Sequence, residues 1–141
     1  MEYFSFFNWY FASIFMPYLR YVAECNGYNP AELFPVFGII YGESNGGKST
    51  FIKLLSKMMS NEKILQNSSS DFTTTNIERL KRACEGVPIF IDDLDKTQFT
   101  NHSGKIIKED KWGLEEKFIN YPAVVITTNE LPALRDYISK R

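Results

Sequence analysis

The sequence predicts an α/β domain in which a mostly parallel sheet is covered by helices on both faces. Three apolar runs, at residues 37–41, 87–91 and 123–127, have the length and composition of buried strands. Stretches with helical spacing of apolar residues, including one at residues 112–118, lie between them, and a further short strand is expected at residues 63–66. Strands that are apolar throughout are typical of parallel sheets, because helices cover both of their faces. We therefore expect a three-layer sandwich.

The bulk properties indicate an ordinary globular domain. The chain has 141 residues, and its formal net charge is −1. A charge this close to zero produces no overall field toward nucleic acid, so any such contact has to be local. Cys25 and Cys84 lack metal-binding spacing, and we expect reduced thiols in a cytoplasmic protein.

The first element is an aromatic-rich helical segment, which we predict to span residues 1–30 before a core domain at 31–141. Its aromatic part, residues 3–16, is too short to span a bilayer and is interrupted by Ser5 and Asn8. No basic stretch of a signal peptide precedes it. We expect a helix that packs on the core or is covered by another domain of a longer chain, with no membrane contact. Pro17 should end or kink this helix.

The next element is a glycine-rich loop between an apolar run and a helical stretch at 50–59. Its sequence fits the pattern G-x-x-x-x-G-K-[ST]: Gly42-Glu43-Ser44-Asn45-Gly46-Gly47-Lys48-Ser49. The order of strand, glycine loop and helix N-terminus is the one that phosphate binding requires. A glycine-rich surface turn is the alternative, and the flanking elements disfavour it.

Each part of this loop has a predicted role in binding a nucleotide. The backbone N–H groups from Gly42 to Thr50 can form a concave site for phosphate oxygens. Lys48 would reach the β- and γ-phosphates, and the Ser49 hydroxyl would bind Mg²⁺. No base-reading pocket is evident in the sequence, so ATP is taken as the nucleotide on general grounds.

Paired acids follow the second apolar run. Asp92 and Asp93 stand at its carboxyl end, which faces the same crevice as the phosphate loop in a parallel sheet. We assign Asp92 to Mg²⁺ and Asp93 to the attacking water. The alternative is an acidic turn at the end of a strand. Asp95 is expected to be solvated or paired with Lys96.

Polar residues also end the third apolar run, as Thr127-Thr128-Asn129. A side chain at this point would enter the crevice between the phosphates and the paired acids. An asparagine amide can donate to the γ-phosphate and accept from water, so Asn129 is predicted to orient the lytic water. In the alternative interpretation, Asn129 caps the turn that follows.

Together these motifs resemble those of the superfamily 3 helicases of viruses and mobile elements, and of the wider AAA+ class. Residues 42–50 are similar to their Walker A motif, residues 89–93 to Walker B, and residues 124–132 to motif C, whose asparagine is the sensor. The resemblance covers about residues 36–132 and implies the three-layer sandwich of P-loop NTPases with an AAA+-like core. Family members continue with another strand and more helix where this chain stops, so we expect a truncated core.

The resemblance also implies a DNA-binding hairpin between Walker B and motif C. Residues 102–111 occupy that interval, and Lys105, Lys108 and Lys111 are the candidate contacts to single-stranded DNA. A solvated hairpin without DNA contacts is an equal alternative. His102 is expected to be a plain surface loop residue.

An arginine finger is a further implication of the resemblance. Members of the family place an arginine after motif C that reaches the γ-phosphate of the neighbouring subunit. Arg135 and Arg141 are candidates here, and Arg141 lies at the more family-like distance. A finger of this kind implies a homo-oligomer, which in this family is a hexameric ring.

The predicted function is therefore that of a Mg²⁺-ATP-hydrolysing motor. It would couple hydrolysis to translocation on DNA, or its unwinding, in the replication of a virus, phage or mobile element. The first alternative is a P-loop ATPase that acts as a switch or regulatory module without helicase activity. The second is a small-molecule kinase, which the absence of an arginine-rich lid after the loop disfavours.

Overall fold

A computed structural model of the protein describes residues 3–61, 64–84, 86–108 and 121–129. Its helices are α1 (Tyr3–Ala12), α2 (Met16–Cys25), α3 (Pro30–Leu33), α4 (Lys48–Ser60), α5 (Thr74–Ala83) and α6 (Lys96–Ser103). Its strands are β1 (Phe37–Tyr41), β2 (Gln66–Asn67), β3 (Ile89–Ile91) and β4 (Val124–Thr128). Single 3₁₀ turns occur at Ser13–Phe15 and Ser69–Asp71, and a π-helix at Gly104–Lys108 follows α6 directly.

The described strands form one parallel sheet in the order β1-β4-β3-β2. Phe37 pairs with Val124, and Ile91 pairs with Ile126, so the strands are closely aligned. All four therefore end at the same edge of the sheet. The strand that leads to Asn129 lies between the strand before the glycine loop and the strand before the paired acids.

The two faces of the sheet bury separate apolar clusters, as the alternation of side chains along a strand requires. Ile40, Phe90 and Val125 belong to the cluster that α1 and α4 cover. Ile89, Ile91, Val124 and Ile126 belong to the cluster that α5, α6 and the π-helix cover. The sheet is thus the middle layer of three, and the predicted α/β sandwich is confirmed.

The aromatic N-terminal helix packs directly on the sheet. Helix α1 contacts β1 and α4, and the Trp9 ring lies against the backbone of Gly38. The Trp9 indole donates a hydrogen bond of 2.8 Å to the carbonyl of Pro35. The expected break comes at the 3₁₀ turn, just before Pro17 at the second position of α2. Whether residue 30 separates two domains stays a prediction.

Three details of the sequence-based assignment are wrong. Within the hairpin expected at residues 102–111, the chain instead forms the π-helix at Gly104–Lys108, from which Ile106 and Ile107 are both buried in the core. His102 lies in α6 rather than in a surface loop. Ile64 and Leu65, expected to belong to a strand at 63–66, precede the described strand, which runs Gln66–Asn67 and pairs with β3, and Lys63 lies outside the described residues.

The helix expected at residues 112–118 lies outside the described residues. Among the helices that are described, none combines the length and the apolar character that crossing a bilayer would require.

Candidate functional site

The loop between β1 and α4 has the backbone shape of an anion-binding cradle. Asn45 and Gly47 have left-handed φ values of 63° and 74°. A Cβ at Gly46 would lie 3.1 Å from the carbonyl oxygen of Glu43, so a larger residue would crowd the loop. Gly47 is the N-cap of α4 and provides no side chain to bond the first-turn amides. Those amides and the positive end of the helix dipole are therefore open to an anion.

The Lys48 ammonium lies beneath this cradle with an exposed fraction of only 7% for the residue. Its Nζ donates to the carbonyl oxygens of Gly42 at 2.9 Å and Glu43 at 2.7 Å. It donates a third hydrogen bond, of 2.7 Å, to Oδ1 of Asn129. These acceptors are neutral oxygens, which satisfy the donors without cancelling the charge. The arrangement favours an anionic ligand beside the ammonium.

The Asp92 carboxylate joins four elements of the fold. Its Oδ1 accepts hydrogen bonds of 2.6 Å from the Ser49 hydroxyl on α4 and from the Thr127 hydroxyl on β4. Its Oδ2 accepts from the Gln66 amide on β2. The structure thus brings Ser49 and Asp92, the two predicted metal ligands, into direct contact.

The neighbouring acid, Asp93, has a left-handed backbone with φ of 52°. This conformation is uncommon for a residue with a Cβ and is typical of functional sites. Its N–H donates to the Thr127 hydroxyl at 2.9 Å, and its carboxylate accepts from the Asn129 amide. Asn129 therefore connects Lys48 to Asp93 through the two ends of one amide group.

These side chains open into one cleft of about 340 Å³. Its lining comprises residues 44–50, Asp92, Asp93, Thr127 and Asn129. The volume is within the usual range of small-molecule sites. Gly42 and Glu43, which were also predicted to bind the cofactor, contribute their carbonyl oxygens to Lys48.

The chemistry of this cleft fits a magnesium nucleotide. Ser49 and Asp92 provide oxygen ligands, which Mg²⁺ prefers. Within the described ranges, no group of three or more His, Cys, Asp or Glu residues is arranged to hold a metal ion. A magnesium ion would therefore take its other ligands from water and phosphate, as it usually does in nucleotide sites.

Sequence analysis missed two contributions to the site. Gln66 bonds Asp92 from a strand of two residues, which is too short to leave a periodic signal. Thr127 was noted only as part of a strand end, whereas its hydroxyl contacts both acids. The available signal was a polar residue in an otherwise apolar strand.

The remaining predicted site residues are not brought into the cleft by what the structure describes. Lys105 is exposed on the π-helix and does not line the cleft. The side chain of Lys108 lies outside the described part of the chain. Lys111, Arg135 and Arg141 also lie outside it. Their roles stay predictions.

Asp95 has a structural role that the sequence analysis did not assign. Its Oδ1 accepts from the N–H of Gln98 at 2.9 Å, which makes it the N-cap of α6. Its Oδ2 accepts from the Ser69 hydroxyl at 2.5 Å. These bonds lower the pKa of the Asp95 carboxyl, with the Ser69 bond as the larger cause.

Comparison with known proteins gives one result at the level of families. A family model described as "Aq_aa27 P-loop NTPase domain" matches residues 1–131. The match includes the aromatic helix as well as the glycine loop, the paired acids and Asn129. Neither the curated proteins nor the solved structures include a significant match to the chain.

Proposed function

Because the chain belongs to the Aq_aa27 P-loop NTPase domain family, we propose that it binds ATP with Mg²⁺ and hydrolyses it. One observation carries this proposal. Lys48, Ser49, Asp92, Asp93 and Asn129 come from three separate parts of the chain and meet in one cleft. Enzymatic hydrolysis of a phosphoanhydride depends on charge stabilisation and on a positioned water, and the ammonium, hydroxyl, carboxylates and amide of this cleft can provide both.

Each of these groups has a role in the proposed reaction. The amides of the loop and of the first turn of α4 bind phosphate oxygens, and Lys48 offsets the charge that develops on them. Asp93 accepts a proton from the attacking water, and Asn129 orients that water. Ser49 and Asp92 hold Mg²⁺, which supplies further charge stabilisation when it is bound.

The finer proposal is a motor of the superfamily 3 helicase type. The order of the motifs along the chain and the position of β4 between β1 and β3 support it. In this proposal the chain assembles into a hexameric ring, and Arg141 reaches the site of a neighbouring subunit. Lys105, Lys108 and Lys111 contact single-stranded DNA.

One observation favours the alternative, an ATPase switch without helicase activity. The segment that would carry the DNA-binding lysines begins as a π-helix continuous with α6, rather than as a protruding hairpin. Ile106 and Ile107 anchor it in the core with exposed fractions of 5% and 4%. Lys105 alone of the three lysines has a described, exposed side chain.

Equilibrium binding of ATP to the Lys48→Ala variant tests the nucleotide site. We expect binding to be abolished, because the variant loses the one cation that lines the cleft among the described residues. The matched control is Lys53→Ala, on an exposed position of the same helix, which should bind like the wild type. Undiminished binding by Lys48→Ala would remove the basis of the proposed function.

Stimulation by single-stranded DNA separates the motor from the switch. ATP hydrolysis is measured with and without an oligonucleotide, for the wild type and for a variant with Lys105, Lys108 and Lys111 replaced by Ala. A motor predicts stimulation that the triple variant loses. If DNA neither binds nor stimulates while hydrolysis continues, the switch is the better description.

A further inference from the structure

A single hydroxyl group contacts both acids of the cleft. Thr127 is 1% exposed and is the next-to-last residue of β4. Its Oγ1 donates a hydrogen bond of 2.6 Å to Asp92 Oδ1 and accepts one of 2.9 Å from the N–H of Asp93. A threonine hydroxyl has one proton to donate and lone pairs to accept, so both bonds form at once.

This contact lies where the chain leaves the sheet. Strand β3 ends at Ile91, and Asp93 then takes the left-handed backbone conformation. The Thr127 hydroxyl bonds the Asp93 N–H, while the Thr127 carbonyl accepts from the N–H of Leu94 at 2.8 Å. Thr127 therefore holds two successive amides of the turn that carries the acids.

The same hydroxyl fixes the orientation of the Asp92 carboxylate. Asp92 Oδ1 accepts one hydrogen bond from the Thr127 hydroxyl and one from the Ser49 hydroxyl. Without the Thr127 bond, Oδ1 would keep only the Ser49 bond, and the Asp93 N–H would lose the acceptor that the Thr127 hydroxyl provides. With fewer bonds to restrain them, the carboxylate and the turn that carries both acids would be held less firmly in this orientation.

We propose that Thr127 is a positioning residue that sets the geometry of both acids, Asp92 for the metal and Asp93 for water. The inference rests on the proposed function, because it assigns Thr127 a role in that reaction. In this assignment Thr127 acts through Asp92 and Asp93, which its hydroxyl contacts, rather than on the reacting atoms. Outer groups that orient metal-binding carboxylates typically change metal affinity or activity by roughly 10- to 100-fold when they are removed.

The neighbouring residue provides a matched control. Thr128 is also buried, at 6% exposed, but its hydroxyl donates to the carbonyl of Leu94 at 2.8 Å. Valine has nearly the shape of threonine and suits a strand. Thr127→Val and Thr128→Val therefore each remove one buried hydroxyl from the same strand; the first removes the described bonds to the acids, and the second removes the described bond to the Leu94 carbonyl.

The test measures binding of ATP at equilibrium as a function of Mg²⁺ concentration, together with kcat and KM. We expect Thr127→Val to raise the half-saturating Mg²⁺ concentration and to lower kcat, each by roughly 10-fold or more. Thr127→Ser, which keeps the hydroxyl, should restore both quantities. Thr128→Val should resemble the wild type, and thermal melting without ligand confirms that each variant is folded.

The outcomes separate this inference from the proposed function. If the wild type neither binds nor hydrolyses ATP, the proposed function fails. If the wild type does both and Thr127→Val keeps its Mg²⁺ dependence and kcat, the positioning role is wrong. Failure of Thr127→Ser to restore them, or an equal loss in Thr128→Val, also overturns it. Should Thr127→Val not fold, Thr127→Ala compared with Thr127→Ser tests the same hydroxyl.

Discussion

At the scale of single residues, Gly38 is where the aromatic helix meets the sheet. A methyl group at this position would lie 2.3 Å from the nearest carbon of the Trp9 ring, well inside van der Waals contact. The ring has little freedom to retreat, because its indole nitrogen is bonded to the Pro35 carbonyl. The close approach of helix α1 to β1 therefore depends on the missing side chain.

We expect Gly38→Ala to lower the free energy of unfolding by about 1–3 kcal/mol, the usual cost of overpacking a core. Urea denaturation measures this. Gly104→Ala is the control, since a Cβ there meets nothing within 4 Å and its φ is −57°. An alanine at residue 38 with wild-type stability would show that the Trp9 contact is not tight.

The candidate site shows which residues sequence can predict and which it cannot. The places of Lys48 and Ser49 in the cleft were predictable because they belong to a local loop pattern, and that of Asp92 because it follows an apolar strand. Gln66 was not, since its place beside Asp92 depends on how β2 pairs with β3. Such a contact between residues 26 positions apart leaves no trace in local spacing.

At the scale of elements, the helix caps show how one side chain fixes a boundary. Asp95 begins α6 and also holds the loop after β2 through Ser69. Its lowered pKa means that the folded state favours the carboxylate. The Asp95 carboxylate therefore contributes its full stabilisation above the pKa that this group has in the unfolded chain. That stabilisation is lost as pH falls through the lower pKa of the folded state.

We expect Asp95→Ala to lower the melting temperature at neutral pH, because the variant loses the cap and the Ser69 contact. Asp95→Asn is the matched control, since asparagine is also a good N-cap but cannot titrate. Melting curves between neutral and acidic pH measure the effect. The wild type should lose stability relative to Asp95→Asn as pH falls below about 4, and parallel curves would contradict the assigned linkage.

The elements also differ in how far sequence could predict them. The three apolar runs correctly predicted β1, β3 and β4, because a strand that helices cover on both faces has an uninterrupted run of apolar residues. The segment at 104–108 was misassigned, since Lys105-Ile106-Ile107-Lys108 has no helical period. Packing against α5 and the sheet decides its conformation, as Ile77, Leu80, Ile106 and Ile107 share one cluster.

At the scale of the whole molecule, the N-terminal helix completes one of the three layers. Phe6 and Tyr10 are fully buried with Ile52 and Leu55 of α4 and Phe90 of the sheet. The family match likewise begins at residue 1 and runs through the nucleotide loop. These observations predict that residues 3–12 fold together with the core rather than as a separate unit.

Two phenylalanines on this helix allow a direct test. Phe6 is 0% exposed, whereas Phe4 is 76% exposed. Phe6→Ala should lower the free energy of unfolding of the whole domain by about 3–5 kcal/mol, because it leaves a cavity against the sheet. Phe4→Ala should change it by less than about 0.5 kcal/mol. Both are measured by denaturant titration, followed by circular dichroism and by fluorescence, with Trp112 replaced by Phe in every variant so that the emission comes from Trp9.

Cooperativity distinguishes a shared core from an attached segment. If α1 is part of the core, both probes should report one transition, which Phe6→Ala shifts to lower denaturant. If α1 were only docked, the Trp9 fluorescence would change in a separate early transition, and the main unfolding step would keep its wild-type midpoint. A shared transition would also mean that damage to the aromatic helix weakens the nucleotide site, because β1 supports both the Trp9 contact and the loop that begins at Gly42.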